Sequence, residues 1–383
     1  MTVPPRPPGF APASRRGDAI WGLQCLRFVA AAMVLISHLN HEVLQRPALA
    51  SGFVPFAPVW WAGGVDVFFV ISGFIMLHVS ADQFGRPGAV RQFAERRIVR
   101  LVPPYWMFTV LALAAMAMLP GQMVHNRATA AQIAGSLLFI PVAAPDGRAT
   151  PVLILGWTLE FEMLFYAVFA AGLGLSRRRG ISMIVMVLVV LAALALAQPV
   201  LGPLPLPLGF WANPIVLEFL FGMGLALAFG RGWVIPRAGG LVLCGLGIAA
   251  LVWVQARGWP GHAWVWRVAW AGVPSLLICA GVVLAPARSR PGPVARLFIL
   301  LGDASYALYL SHPFALSLMA IAAARMPFLG AAGYIGLAFV ACVGVSVVFH
   351  LRVERPLQRA IAARLALRRD RARPPRVIRL GNA

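Results

Sequence analysis

Residues 20–39, IWGLQCLRFVAAAMVLISHL, are long and apolar enough to cross a bilayer as one helix. The stretch nevertheless carries Arg27 and His38. Ionisable groups at membrane depth are costly and rare, and by default they mark function. The two lie about three helical turns apart, so both project from one face, roughly 16 Å apart along the axis. That is about half the hydrocarbon thickness of a bilayer. One helix thus offers a cation near one membrane surface and a proton acceptor towards the other. Snorkelling of Arg27 to an interface, with His38 at the far helix end, accounts for the same placement without chemistry.

The rest of the chain repeats the apolar theme. It is 60% hydrophobic over 383 residues, far above a soluble domain. About ten segments read as spans, near 20–39, 63–80, 102–119, 153–175, 181–198, 207–229, 238–256, 264–285, 299–324 and 329–351. Residues 131–142 (AQIAGSLLFIPV) are too short to cross and are expected to be re-entrant or interfacial. The expected fold is therefore an all-α polytopic transmembrane helix bundle. A cytoplasmic N-terminal tail (1–19) and a basic cytoplasmic C-terminal tail (357–383) would flank a membrane domain over 20–356. Spans and short loops leave no room for a large soluble catalytic domain. The triplet Ala48-Leu49-Ala50 imitates a signal-peptidase site, but it lies past His41, Glu42 and Arg46, so the first span reads as retained.

The net charge of +21 resides entirely on arginine. With ten spans and an inner N-terminus, 26 of the 33 arginines fall on inner segments. Outer loops would hold only Arg46, Arg127, Arg148, Arg257, Arg267 and Arg325. So strong a bias places both termini inside by the positive-inside rule. The tail RRDRARPPRVIR then reads as a disordered segment that binds lipid headgroups rather than nucleic acid. Cys25, Cys244, Cys279 and Cys342 are dispersed in apolar spans, with neither disulfide nor metal-ligand spacing.

This topology gives each intramembrane polar group a depth. Asp66, in GGVDVFFVISGF, lies near the outer end of its span, at the depth of His38. A carboxylate there can hold an imidazole's tautomer, or it can simply complement the helix N-terminus. Ser72-Gly73 follow, small enough to admit a helix or a ligand. Arg96, Arg97 and Arg100 precede Pro103-Pro104 on the inner side; positive-inside anchoring accounts for them without further help, and their forked donors also suit phosphate. Glu160 and Glu162 point to nearly opposite faces, Trp157 sharing a face with the first and Tyr166 with the second. Asn213 and Glu218 sit in the sixth span, where Glu218 reads as an interhelical partner. In LGDASYALYLSHP, Ser305, Tyr309 and His312 form one polar stripe, with Asp303 at the inner end as a partner for Arg27 or for an arginine of the 96–100 cluster. Tyr306 fits an interfacial aromatic belt. The polar stripes fall on the first, second, fourth and ninth spans, whereas the fifth, seventh and tenth are nearly featureless. A polar interior shared by a subset of helices is implied.

Six segments in this order resemble the membrane acyltransferase family 3: LRFVAAAMVLISHL, GGVDVFFVISGFIM, RRIVRLVPPYW, WTLEFEMLFY, LGDASYALYLSHP and VERP at 353–356. Two of them also resemble the branch that acetylates bacterial exopolysaccharides. The resemblance implies transfer of an acyl group, usually acetyl from cytoplasmic acetyl-CoA, to a hydroxyl of an extracytoplasmic glycan. It implies a multi-pass protein of the bacterial inner membrane working beside polysaccharide synthesis or export machinery. By position, His38 matches the catalytic residue, with Asp66 and Glu162 as further catalytic candidates. Arg27, Arg97, Arg100, Ser72, Tyr306 and Tyr309 are candidates for holding the donor. Trp157, Tyr166 and His312 are candidates for the acceptor. Glu160 falls where the family more often has a small polar residue. No metal is implied.

On this reading the donor's phosphates dock on inner arginines and its arm extends up the polar interior to His38. His38, oriented by Asp66, then acts as general base or as a transient acyl carrier. A G-x-S-x-G elbow is missing, which argues against a serine nucleophile. The rival reading is a transporter or exporter of a glycan or lipid-linked substrate, which repeat symmetry and broken helices would support. No internal repeat stands out in the sequence.

Overall fold

A computed structural model of the chain describes residues 13–45, 63–118, 128–257, 264–286, 292–323 and 330–371. Every named element among them is helical, and the β structure there is an isolated bridge between Ala143 and Ala149. The first half comprises α1 (Ala13–Leu44), α2 (Gly64–Ser80), α3 (Ala89–Met118), α4 (Ala130–Leu138), α5 (Gly156–Leu173), α6 (Arg177–Leu201) and α7 (Leu208–Trp211). The second half comprises α8 (Leu217–Gly230), α9 (Arg237–Ala256), α10 (Trp264–Arg267), α11 (Val273–Leu284), α12 (Pro293–Asp303), α13 (Ser305–Ala323), α14 (Gly330–Phe349) and α15 (Arg355–Arg371). A 3-10 turn, Pro214–Val216, leads into α8, capped by Asn213, whose Oδ1 accepts from the Ile215 N–H at 3.0 Å.

Each of the ten expected apolar segments overlaps a helix. Among the described residues six stretches are long and apolar enough to cross a membrane: Trp21–Leu44, Ala89–Met118, Arg177–Leu201, Arg237–Val254, Ser305–Ala322 and Gly330–Leu367. Gly64–Ser80, Pro214–Gly230 and Val268–Leu284 are apolar but shorter. The short segment near 131–142 forms α4, whose first turn is capped by Thr129 Oγ1 accepting from the Gln132 N–H. Helices also run past the expected membrane edges. α1 begins at Ala13, inside the expected N-terminal tail, and the arginine-rich 86–100 loop is mostly the start of α3. The tail expected to be disordered is helical through Arg371, and its residues 372–383 lie outside the described residues.

Prolines give three of the rods their shape. Pro103 and Pro104 lie inside α3, where each removes an intrahelical donor and crowds the carbonyl four residues back. For Pro104 that carbonyl belongs to Arg100, and it accepts instead from Gln358 Nε2 at 3.3 Å. The other two cases share one device. π-helical turns at Val268–Gly272 and His350–Glu354 join α10 to α11 and α14 to α15. Each lies just ahead of a proline, Pro274 or Pro356, and the widened turn relieves the clash a tighter one would create.

Glycines set the closest helix contacts. A Cβ on Gly73 would fall 2.0 Å from the Phe219 carbonyl oxygen, and one on Gly222 would fall 2.0 Å from that of Val70. α2 and α8 therefore meet backbone to backbone, as small residues permit between apolar helices. The main core surrounds this pair and α5, with Phe69, Phe74, Phe161, Phe165 and Phe219 among its buried rings. A second cluster joins α1, α13 and α14 through Leu35, Leu39, Leu308, Leu316, Tyr334 and Cys342. The featureless spans turn outward, exposing Val189 and Val190 on α6, Leu241 and Leu246 on α9, and Val340 and Val348 on α14. That agrees with their expected lipid-facing role.

Candidate active site

Helices α1, α2, α3, α5 and α13 line a partly open cavity of about 80 Å³. Along α2 its wall runs from Val65 to Met76, roughly 16 Å at the helical rise. One end carries charge and hydroxyls. Arg27, buried on α1, donates through Nη1 to Gln24 Oε1 at 2.9 Å, and Arg100 of α3 stands on the same wall. The charged groups acting on Arg27 are Arg100, Asp303, Glu162 and Glu354, so the expected Asp303 partnership is one influence among four.

Glu162 faces this end from α5. Its Oε1 accepts from Ser72 Oγ at 3.1 Å and from the Tyr166 hydroxyl one helical turn on. The i,i+4 reading of Glu162 and Tyr166 thus becomes a direct hydrogen bond. Arg97 lies behind them, its guanidinium 5.4 Å from the Phe93 ring centroid and 5.9 Å from that of Tyr166. It supports the Tyr166 ring by cation–π contact and does not line the cavity.

On α13 the tyrosines are fixed by backbone oxygens. Tyr306 donates to Leu101 O at 2.7 Å, across to the proline-bearing helix, so it belongs to the bundle interior and not to an interfacial belt. The Tyr309 hydroxyl lies 2.8 Å from Thr158 Oγ1 and donates to Leu155 O at 3.0 Å. Ser305 Oγ lines the cavity, buried and without a hydrogen-bond partner. Such an oxygen is costly unless something in the cavity engages it.

One turn beyond Tyr309 lies a pair of imidazoles. The His38 and His312 rings are 4.9 Å apart, and Tyr309 is 6.3 Å from His312 while also lining the cavity. His312 Nδ1 sits 3.1 Å from Leu308 O. A carbonyl can only accept, so Nδ1 carries the hydrogen and Nε2 presents its lone pair. That Nε2 is buried with no hydrogen-bond partner. His38 is only half-buried, so the pair reaches from the bundle interior towards its surface.

Asp66 lies in the first turn of α2, as its place in the sequence implied, but its partner is not His38. Its carboxylate takes a bidentate pair from Arg267, Nε to Oδ1 at 2.9 Å and Nη2 to Oδ2 at 2.7 Å. Glu218 adjoins the same group, packed against Gly272, where a Cβ would fall 2.9 Å from its Oε1. Asp66 therefore does not orient His38, and Gly63 rather than Asp66 occupies the N-cap of α2. The physical reason is Arg267. A loop position was expected for it, but it ends α10 and is buried in the bundle, where its fork matches a carboxylate far better than an imidazole does. Trp157 also stands off the cavity, edge-on to Phe161 at 6.2 Å. Glu160 is buried on the side away from Glu162, near Tyr105.

The structure thus gathers Arg27, Ser72, Arg100, Glu162, Tyr166, Tyr306 and Tyr309 on one cavity, with His38 and His312 next to it. It leaves Asp66, Arg97 and Trp157 outside. Sequence reasoning passed over Gln24 and Thr158, which are ordinary polar residues on apolar helices, and misread Arg267. An unpaired Asp66 in an apolar helix was the available signal that a buried cation must exist.

Comparisons with known proteins agree with the motif pattern. A family model described as an acyltransferase domain, Acyl_transf_3, matches residues 20–351. The exopolysaccharide production protein ExoZ of Rhizobium meliloti (strain 1021) is 36% identical over 317 residues, covering 82% of this chain and 91% of the relative. No solved structure matches.

Proposed function

The chain belongs to the membrane acyltransferase family 3, and from that premise we propose that it O-acylates an exported polysaccharide, taking acetyl from cytoplasmic acetyl-CoA. The observation that carries this reading is the cavity with arginines at one end and a tautomer-fixed imidazole next to the other. A relative named for exopolysaccharide production supports a glycan acceptor of that kind. The distribution of arginines supports cytoplasmic termini, about ten spans and an inner-membrane location.

In this reading Arg27 and Arg100 take the phosphorylated end of the donor, where forked donors suit phosphate oxygens. Ser72, Glu162 and Tyr166 fix the wall that guides the arm. The acceptor hydroxyl arrives at the imidazole pair. The His38 imidazole removes its proton as the hydroxyl oxygen attacks the thioester carbonyl carbon, with His312 beside it. A C–O bond forms, the C–S bond breaks, and the proton passes to the departing thiolate. If the His38 nitrogen attacks first, a C–N bond forms as the C–S bond breaks and the thiol departs; the hydroxyl then attacks the acyl-imidazole, forming the C–O bond and releasing the imidazole, which takes up the hydroxyl proton.

The test is the O-acetyl content of the cell's surface polysaccharide with the intact chain, with His38→Ala and with empty vector. The expectation is acetylation with the first and near-background values with the others. Equal acetylation in all three would overturn the assignment for that glycan. Labelled acetyl that stays on the protein after CoA is removed, and vanishes in His38→Ala, would select the covalent route.

A further inference from the structure

A second groove opens beside the cavity and shares Arg100 with it. It lies between the first half of α3, through Glu95, Arg96 and Arg100, and the C-terminal helix α15, through Arg355, Gln358 and Arg359. Its volume is about 490 Å³. We infer that this groove extends the donor site outward from Arg27 and Arg100: those two take the phosphates nearest the arm at the mouth of the cavity, and α15 holds the outer phosphate at the nucleotide end of an acyl-CoA.

The inference rests on the acyl-CoA reading given above and on three observations. Four guanidiniums converge on the groove with Glu95 as the one acid among its lining residues, and Arg91 engages that acid at 2.7 Å. Such a cluster repels itself unless an anion sits among its members. Among the described residues Arg355 and Arg359 have no hydrogen-bond or ion-pair partner, so their forks are available to phosphate oxygens. Arg96 is steadied by Gln92 O at 3.1 Å and Gln83 Oε1 at 3.3 Å.

The groove is also tied to the proline break in α3. Gln358 donates both to Arg100 O, the carbonyl that Pro104 leaves without its helical donor, and to Glu354 Oε1 at 3.1 Å. Glu354 in turn holds His350 Nδ1 at 2.7 Å. This chain of contacts fixes α15 against α3 at the residue the two hollows share. A ligand with several phosphates and a long neutral arm fits such a pair: polyanion in the arginine groove, arm past Arg100 into the cavity. An anionic lipid headgroup offers the same phosphate chemistry, and the experiment separates the two.

Titrate CoA, dephospho-CoA and pantetheine into the full chain in nanodiscs of phosphatidylcholine alone. Compare wild type, the double variant Arg355→Gln/Arg359→Gln, and Arg178→Gln/Arg179→Gln as a control on another exposed basic helix start. The expected result is a CoA Kd raised about tenfold or more in the groove variant, a smaller change for dephospho-CoA and none for pantetheine. The control variant should match wild type, and both variants should elute as the same single species. A groove variant that binds CoA as wild type does overturns the groove while leaving the acyl-CoA reading intact. A wild-type chain without affinity for CoA overturns both. Should phosphatidylglycerol in the nanodisc weaken CoA binding to wild type but not to the groove variant, with CoA affinity otherwise equal, the groove is a headgroup site and the inference fails.

Discussion

Asp66 and Glu162 look alike in sequence, each a carboxylate in an apolar helix, and the fold uses them in opposite ways. Asp66 is wholly buried, both oxygens are taken by Arg267, and nothing of it faces the cavity. Glu162 is half-buried on the cavity wall, bonded by neutral hydroxyls from Ser72 and Tyr166. A buried carboxylate matched by a fork of opposite charge fastens helices together. A carboxylate held by hydroxyls at a cavity keeps capacity for something that enters. The difference teaches that an ionisable residue in a span is only half a statement until its partner is known.

Four experiments press on that contrast. The largest effect is expected at the imidazole pair, where His38→Ala and His312→Ala should each lower turnover by about 10²–10⁴-fold. Thermal unfolding in detergent should show both variants folded, and activity surviving in His312→Ala would separate it from the chemistry. Next comes the ion pair. Arg267→Met strands Asp66 and should destabilise the fold by about 3–5 kcal/mol, whereas Asp66→Leu combined with Arg267→Met should recover much of the loss. Activity per folded molecule should persist in the double variant; its disappearance would move Asp66 back into the active site.

Third, Gly73→Ala places a methyl against the Phe219 carbonyl and should cost about 1–3 kcal/mol by forcing α2 from α8. Because Ser72 adjoins it, KM for the donor should rise too, which a purely global loss of stability would not produce. The smallest effect is expected for Glu160→Gln. It lies off the cavity, so turnover should stay within about twofold, a rate difference well under 1 kcal/mol. A large drop in steady-state rate would make Glu160 a second carboxylate of Glu162's kind.

Much of this arrangement was legible in the sequence, because period and hydropathy locate helices and a helix fixes which residues share a face. Ser305 and Tyr309 could be assigned to one stripe, Glu160 and Glu162 to opposite sides, and α6, α9 and α14 to the outside, all from spacing. What spacing does not carry is the pairing between helices. Asp66 and His38 had matching depth, yet depth alone does not say which neighbour is adjacent in the third dimension. Arg267 decided the matter from 201 positions away. The helical start of α15 was hidden for a related reason: an arginine-rich segment reads as a solvated tail unless the carbonyl that its Gln358 satisfies, Arg100 O, is known to lack a helical donor.

The glycine contacts also govern how the molecule moves. α2 is seated on α8 through Gly73 and Gly222 and on α1 through Gly64, where a Cβ would fall 2.3 Å from Ala30 O. Backbones this close interlock and have no slack for sliding, so these three helices behave as a stator. The opposite wall carries Pro103 and Pro104 in α3 and Pro313 in α13, each a point where the helical ladder lacks a rung. The α3–α13 wall is therefore where flexing to admit a bulky ligand is expected. The arginine groove rides on that wall, so a donor seated in it would be carried by the moving part of the machine.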